Sequence, residues 1–368
     1  MKIRAAYVPE SKKLTVDTVE LDPPQQGELL IRMKAAGVCH SDLHTLKGEL
    51  RTQPPLVLGH EGAGVVEAVG PGVTRFAPGD SVLINWLPGC HVCPTCQAGH
   101  ENICERLFRT TFAGTMLDGT SRLRGPNGDS IKQYLSSATM AEYAVVPEDG
   151  AIPLQEGVPF EVAAIIGCAV ITGVGAVINT AQVEAGSRAA VIGCGGIGLS
   201  AMQGCVLAGC SEIIAVDIMD EKLEFARQMG ATATVNAQEE DPVKALKRLT
   251  GGGPEYAFDS VGSARTIPQA LNAVGPAGTA TIIGLHAALE EVPIAPAQLI
   301  YQNKRLLGSF AGDVTPLHDL PRLQQLYRAG RLELDKLITK RYPLDDVAQA
   351  FEDMEAGKVA RGVLVFDD

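Results

Sequence analysis

Val191-Ile192-Gly193-Cys194-Gly195-Gly196-Ile197-Gly198 is the stretch on which the fold turns. An apolar run leads into it and a helical pattern leaves it, so it reads as a G-x-G-x-x-G turn from strand to helix. Gly193 makes the tight turn, Gly195 leaves room for a pyrophosphate, and Gly198 lets helix and strand pack closely. Free N–H groups and the dipole at the helix start favour phosphate charge there. A glycine triplet alone is equally an ordinary turn. Here the next strand, EIIAVD, ends at Asp217, at the distance of about 20 residues that a ribose-binding acid requires. A carboxylate there accepts both ribose hydroxyls of NAD and repels a 2′-phosphate. Ile218 follows, with no adjacent arginine to balance that phosphate. The stretch therefore predicts a dinucleotide site, and NAD rather than NADP.

Outward from this turn, strand and helix signals alternate from about residue 160. AAVIG, EIIAVD, ATATVN, EYAFDSVG and TATIIG read as strands. Helical patterns run through Ala208, over Asp220–Met229, and around Pro242–Leu249 and Ala264–Val274. Such βα alternation with apolar strands predicts a doubly wound parallel sheet covered on both faces. Residues 1–150 differ. GELLIRMKAAG and AEYAVVP read as strands, and PGVTRFAPGD as turns between strands. The polar, Gly/Ser/Thr-rich segment from Glu105 to Met140 reads as extended loops over the surface or at an interface. Val162–Ile178 carries no charge. It is short for a membrane span and lacks a basic flank, so it reads as a buried helix between domains. The last residues return to mixed character and end in strand-like GVLVF.

The 368 residues suffice for two domains, and an apolar content of 46% allows a substantial core. A net charge of −12 argues against a nucleic-acid partner. The polar opening MKIRAAYVPESKK does not resemble a secretory signal. Nine cysteines, an odd number in metal-like spacing, suit a reducing cytoplasm.

Four of them, Cys90, Cys93, Cys96 and Cys104, have the spacing C-x2-C-x2-C-x7-C. Four thiolates complete a closed tetrahedral shell, which holds zinc for structure rather than chemistry. Cys39, His60 and Cys168 would make a Cys2His set with an open fourth position, the form of a catalytic zinc site. They lie far apart in the chain, so spacing alone does not show that they converge. Cys194, Cys205 and Cys210 read as small buried hydrophobes. His91 and His100 lie in the four-cysteine loop but are not needed by a shell that thiolates already fill.

Together these pieces resemble the zinc-dependent medium-chain alcohol dehydrogenases over nearly the whole chain. Gly59–Val73, GHEGAGVVEAVGPGV, matches the signature G-H-E-x-x-G-x(5)-G-x-x-V, and GTMLDGTSRLRG looks like the long segment of the liver-type, class III-like branch. The resemblance implies a mostly β, GroES-like catalytic domain over residues 1–160 and 308–368, with a Rossmann domain over 161–307. It implies two zinc ions per chain and hydride transfer from a zinc-bound alkoxide to NAD. By position, Cys39, His60 and Cys168 match the catalytic-zinc ligands, Glu61 a carboxylate behind the metal, and Asp42 the group orienting the ligand histidine. Ser41 matches the hydroxyl that takes the substrate proton, and His44 the solvent end of that relay. Thr172, Gly193, Gly195, Gly196, Ile197, Gly198, Asp217, Lys222 and Arg361 match cofactor-binding positions. His40 stands where an arginine is common, and Leu50 and Trp86 match walls of the substrate pocket. His286 follows the strand TATIIG and is assigned no chemical role.

An apolar, aromatic wall favours primary, allylic or benzylic alcohols, oxidised to aldehydes or formed from them. The alternative is an S-(hydroxymethyl)thiol (formaldehyde) dehydrogenase. Against it, Leu50 replaces the acid those enzymes use, and Arg109 is offset by one from their arginine, with Phe108 at the matching position. A zinc- and NAD-binding redox sensor without catalysis is a third reading. The liver-like segment implies a homo-oligomer, a dimer rather than a tetramer, joined through the cofactor-domain sheets. No membrane partner is expected.

Overall fold

The computed structural model describes residues 1–285 and 291–367. The chain divides into two compact units. One comprises Met1–Cys168, Thr315–Gly330 and Leu334–Asp368, and the other Ala169–Val314 and Arg331–Glu333.

In the second unit, six strands among the described residues form a parallel sheet. Their order is Ala233–Asn236, Glu212–Asp217, Arg188–Ile192, Tyr256–Asp259, Thr279–Ile282 and Arg305–Gly308. In chain order this is 3-2-1-4-5-6, the Rossmann arrangement. Ala189 to Ile192 and Ile213 to Val216 are buried without a break, because helices cover both faces of a parallel sheet. The helix Gly196–Ala208 stops at Gly209, whose φ of 78° is the left-handed turn that ends helices. The helix Pro242–Thr250 begins with Asp241 accepting the N–H groups of Val243 and Lys244. Ile192, Ile214, Val235, Leu246 and Leu271 meet in the core beneath.

The first unit holds a seven-stranded sheet, again among the described residues. Ala151–Pro153, Ser81–Ile84, Gly62–Val69, Glu28–Val38, Arg361–Val365 and Ile338–Tyr342 lie in that order, and Tyr143–Pro147 also pairs with Glu28–Val38. The two ends of the chain thus meet in one sheet, where Gly362–Val365 runs antiparallel to Ala35–Val38. A closed barrel of Lys2–Glu10, Lys13–Leu21, Leu123–Arg124, Ser130–Gln133 and Leu56–Val57 completes the unit.

The barrel corrects the expectation for Glu105–Met140. That segment is folded into the unit rather than laid over it, and Met116, Leu123 and Ile131 sit in the barrel core. Its polar residues are buried because they pair. Arg122, 1% exposed, donates to Glu28 at 2.6 and 2.9 Å and to Asp118 at 2.7 Å. The Gln133 carboxamide accepts the Arg122 N–H at 2.6 Å and donates to the Val145 carbonyl at 3.1 Å. Polar composition does not separate a solvated loop from a satisfied interior network.

The uncharged stretch lies in one helical run, Phe160–Thr180, almost wholly buried in the fold. The boundary between the two units falls within it, after Cys168. Two of its segments, Ile166–Val170 and Ala176–Thr180, are π-helical.

Candidate active site

Three local features bring the distant candidates together in the first unit. Strand Glu28–Val38 ends at Cys39, whose extended backbone precedes the helix His40–Leu46. His60 follows Gly59, which has φ +102° and lies so close to Met140 that a β-carbon would come within 2.3 Å of its nitrogen. Cys168 sits on the π-helical segment, where Gly167 approaches the Ile84 carbonyl as only a glycine can. Donor atoms of Cys39, His60, Glu61 and Cys168 then lie within 4.8 Å of one another, all buried. His60 Nε2 is 3.3 Å from Cys168 Sγ. On the other side of its ring, Nδ1 lies 3.1 Å from Asp42 Oδ2, and Asp42 Oδ1 accepts the Gly59 N–H at 2.9 Å. The carboxylate therefore fixes both the ring and the turn that carries it.

The charges of this pocket call for a cation. Asp42, Glu61 and two thiols are buried together, opposed by the Arg361 guanidinium, which pairs with Glu61 Oε2. Among the described residues, buried Glu61 Oε1 has no hydrogen-bond partner. Burial pushes Glu61 up to about 7 even with Arg361 beside it, and burial likewise raises Asp42. Cys168, and after it His60, holds the Cys39 thiol well below its usual value. Two thiolates and an imidazole suit zinc, and a divalent ion offsets the surplus negative charge. Gly37 leaves the space that Glu61 fills, since a β-carbon there would stand 1.9 Å from Glu61 Oε2.

Of the other candidates of this unit, Ser41 and Trp86 lie against the pocket. Ser41 Oγ is 3.7 Å from Cys39 Sγ. His44, one turn along the same helix, has Nδ1 2.6 Å from Glu49 Oε2. His40 is exposed, its ring 6.5 Å from that of His44. Leu50 is half-buried at a turn closed by Gln53. Trp86 stands edge-on to His60, with ring centroids 5.8 Å apart. Sequence reasoning did not find three neighbours. Tyr134 also stands edge-on to His60, at 5.5 Å, and donates to the Ser41 carbonyl at 3.1 Å. Phe112 lies edge-on to Trp86 at 6.4 Å, and Glu49 holds His44. Phe108 stacks on Phe112 at 5.2 Å and is 45% exposed, while Arg109 is exposed beside it.

The cysteine loop forms a second cluster. Cys90 and Cys96 sulfurs are 4.0 Å apart, as are those of Cys93 and Cys104. Zinc–sulfur bonds of about 2.3 Å give a tetrahedral edge near 3.8 Å. The Cys93 N–H donates to Cys90 Sγ at 3.3 Å, and the Cys96 N–H to Cys93 Sγ at 3.4 Å. These amides favour thiolate, and the Cys96 and Glu105 N–H groups hold Cys93 down to about 6. All nine cysteines are free. His91 is engaged by Glu101 at 3.2 Å.

In the second unit the glycines divide the work as their order suggests. Gly193 has φ +93°, and its N–H donates to the Val216 carbonyl at 2.8 Å. At Gly198 a β-carbon would lie 1.9 Å from the Gly193 carbonyl, so helix and strand touch there. A β-carbon at Gly195 would meet nothing within 4 Å among the described residues, space of the kind a pyrophosphate would need. Gly196 and Ile197 open the helix. Asp217 Oδ2 accepts the Cys194 N–H at 2.8 Å, and Oδ1 accepts from Ile218 at 2.7 Å. Lys222 is half-buried on the helix Asp220–Gln228, and Thr172 is buried on Ile171–Gly175. Cys194 and Cys205 are buried and Cys210 half-buried. His286 lies outside the described residues.

Comparison with known proteins agrees with this architecture. The family described as "Alcohol dehydrogenase GroES-like domain" matches residues 25–156, and "Zinc-binding dehydrogenase" matches residues 196–328. The chain is 39% identical to "Alcohol dehydrogenase class-3" of Cereibacter sphaeroides, with all of both chains covered. It is also 39% identical to "S-(hydroxymethyl)glutathione dehydrogenase" of Paracoccus denitrificans, again over the whole of both. The crystal structure of benzyl alcohol dehydrogenase from Acinetobacter calcoaceticus, 32% identical, superposes over both whole chains with a TM-score of 0.94. The chain belongs to the zinc-dependent medium-chain alcohol dehydrogenase family, on its class III-like side. It is an oxidoreductase of zinc and NAD.

Proposed function

We propose that this chain oxidises primary alcohols, above all benzylic and allylic ones, to aldehydes with NAD, and catalyses the reverse. The observation that carries the substrate class is the row of aromatic rings leading from the metal pocket. From His60 it runs through Trp86 and Phe112 to the exposed Phe108. An aryl ring gains dispersion and edge-to-face contact along such a row. Benzyl alcohol dehydrogenase is among the structural relatives.

Cys39, His60 and Cys168 would hold a zinc ion, which would supply Lewis acidity, and the Gly193 turn with Asp217 would hold NAD as the hydride acceptor. Asp42 keeps Nε2 of His60 free for the metal. Glu61 is the carboxylate behind it, tied to Arg361. The Ser41 hydroxyl takes the alcohol proton as it gives up its own, and His44, held by Glu49, is the solvent end of that relay. Trp86 and Leu50 wall the substrate. Asp217 binds the adenosine ribose, Lys222 lies on that side, and Arg361, His40 and Thr172 serve the rest of the cofactor. The four-cysteine loop holds the structural zinc. A reducing cytoplasm suits nine free cysteines. A dimer is supported by strand Arg305–Gly308, which bounds one edge of the parallel sheet. Ile300 and Tyr301 beside it are 68% and 87% exposed.

The second reading, an S-(hydroxymethyl)thiol dehydrogenase, is favoured by the names of the 39% identical relatives. It is disfavoured by Phe108 and Leu50 at the positions noted above. Initial rates of NADH formation with benzyl, allyl and aliphatic alcohols, and with formaldehyde with and without glutathione, decide between them. Benzylic turnover without thiol is expected. Turnover confined to formaldehyde plus thiol would replace the first reading with the second. No turnover of either kind would sink both.

A further inference from the structure

Asp259 is a fully buried carboxylate, 0% exposed, that the chemistry above does not use. It ends strand Tyr256–Asp259, the neighbour of Arg188–Ile192 across the point where the sheet order reverses. Ligands of such sheets bind beside that point, outside the carboxyl ends of the strands. The carboxylate accepts the N–H of Val261 at 3.1 Å and of Gly262 at 3.2 Å, and the hydroxyl of Thr266 at 3.2 Å. Its own carbonyl accepts the N–H groups of Ile283 and Gly284 at 2.8 and 3.0 Å. Residues 260–262 are thereby folded into a tight arch. A β-carbon on Gly284 would lie 2.3 Å from the Val261 carbonyl carbon, so the arch is pressed against the end of the next strand.

Ser260 carries the arch back to the glycine turn. Its N–H donates to the Ile192 carbonyl at 3.0 Å, and its hydroxyl lies 3.0 Å from that carbonyl and 3.1 Å from the Gly193 carbonyl. The hydroxyl fills the notch left by two fingerprint glycines. A β-carbon on Gly193 or Gly198 would come within 2.7 or 2.8 Å of it.

We propose that Asp259 and Ser260 are positioning residues for the dinucleotide: Asp259 sets the arch, and Ser260 locks the Gly193 turn in its phosphate-binding form. Neither need touch the cofactor. The inference rests on the reading of residues 193–198 as the NAD site.

Fluorescence titration of the full-length zinc enzyme with NADH tests it, alongside thermal melts and zinc content for each variant. Ser260→Ala and Asp259→Ala are expected to raise the Kd for NADH about tenfold, the equivalent of ~1.4 kcal/mol. Asp259→Asn keeps an acceptor for the Val261 and Gly262 amides and should stay within about threefold of the parent. Zinc content should be unchanged in all three. A lowered melting temperature with an unmoved Kd would reduce both residues to packing roles and overturn the proposal. So would an Asn variant as weak as the Ala variant. If Asp259→Ala does not fold, Ser260→Ala alone decides. A parent enzyme that fails to bind NADH would instead refute the dinucleotide site itself.

Discussion

Gly195 and Gly198 are three residues apart in one motif, yet alanine should act on them in opposite ways. At Gly198 the new methyl would stand 1.9 Å from the Gly193 carbonyl oxygen and 2.8 Å from the Ser260 hydroxyl. An ordinary contact of this kind is about 3.5 Å, so the helix and strand must part by more than ~1 Å. The carbonyl belongs to the turn itself and has no free rotation with which to yield. Overpacking of a close interface costs about 1–3 kcal/mol. At about 2–4 °C per kcal/mol for domains of about 150–250 residues, and less for a longer chain, Gly198→Ala should melt a few degrees below the parent. At Gly195 the backbone is extended, with φ −81°, and among the described residues the methyl meets nothing within 4 Å. Lower entropy of the unfolded chain favours alanine by about 0.4–1 kcal/mol. Alanine is a poorer N-cap than glycine by a comparable amount. Stability should therefore stay within ~1 kcal/mol of the parent. The methyl does occupy the pyrophosphate cradle, and NADH affinity should fall at least about tenfold. Scanning calorimetry and NADH titration on the two variants read these effects separately. A Gly195→Ala enzyme that binds NADH like the parent would remove the phosphates from this turn. A Gly198→Ala enzyme of parental stability would contradict the close approach.

Three further outcomes are expected. Cys104→Ser should lower zinc from two ions per chain to one, measured by elemental analysis, and loss of a metal belongs to the changes that can exceed ~4 kcal/mol; a retained second ion would refute the four-thiolate site. Asp217→Gly should shift preference toward NADP by about 10–100-fold, since hydrogen bonds to a charged group are worth about 1.5–3 kcal/mol. It should also weaken NAD, because the Cys194 N–H loses its acceptor, and an unaltered cofactor ratio would count against the ribose contact. Arg188 holds Glu255 down to about 2 from the ordinary 4.5. A depressed carboxylate stabilises the folded state above its unfolded value, and that contribution disappears as pH falls from 4.5 toward 2. Glu255→Gln should thus lower the melting temperature at neutral pH and converge with the parent at low pH. A constant gap in acid melts would disprove the linkage.

Much of the second unit was legible because its signals are local. Apolar strands, helical periods and the glycine turn each lie within a few residues, and helix Gly196–Ala208 ends where its pattern ends. The four-cysteine cluster was legible for the same reason, since two-residue gaps bring thiols together without help from the rest of the chain. Cys39, His60 and Cys168 were different. Their convergence depends on Gly59 passing under Met140 and Gly167 lying on Ile84. Only the resemblance of whole motifs could supply those tertiary contacts. Of the aromatic row, only Trp86 was legible as a pocket wall, and only through the resemblance; Phe112 and Tyr134 were not found. Phe108 and Phe112 are at helical spacing, but nothing in the sequence ties that pair to Trp86 or Tyr134, and Glu49 reaches His44 across a turn rather than along a helix face. The buried network around Arg122 misled because polar composition reports affinity for water, not whether protein partners replace that water.

The metal pocket depends most on what lies far away. Arg361 is 300 residues from Glu61 and pairs with it in the interior. It enters the pocket on the last strand, Arg361–Val365, which adds to the edge of Glu28–Val38 just where that strand delivers Cys39. Breaking a buried pair by removing one partner costs about 3–5 kcal/mol, because the remaining charge is left uncompensated. Glu61 has already been raised by burial with the arginine present, so without the final strand the cost of keeping it ionised is larger still. The Rossmann strands make no such demand, since they pair within residues 188–308. The inserted order of the chain therefore gives the two sites different dependencies. The nucleotide turn is complete within its own unit, whereas the charge balance around His60 closes only when the C-terminal strand joins the N-terminal sheet.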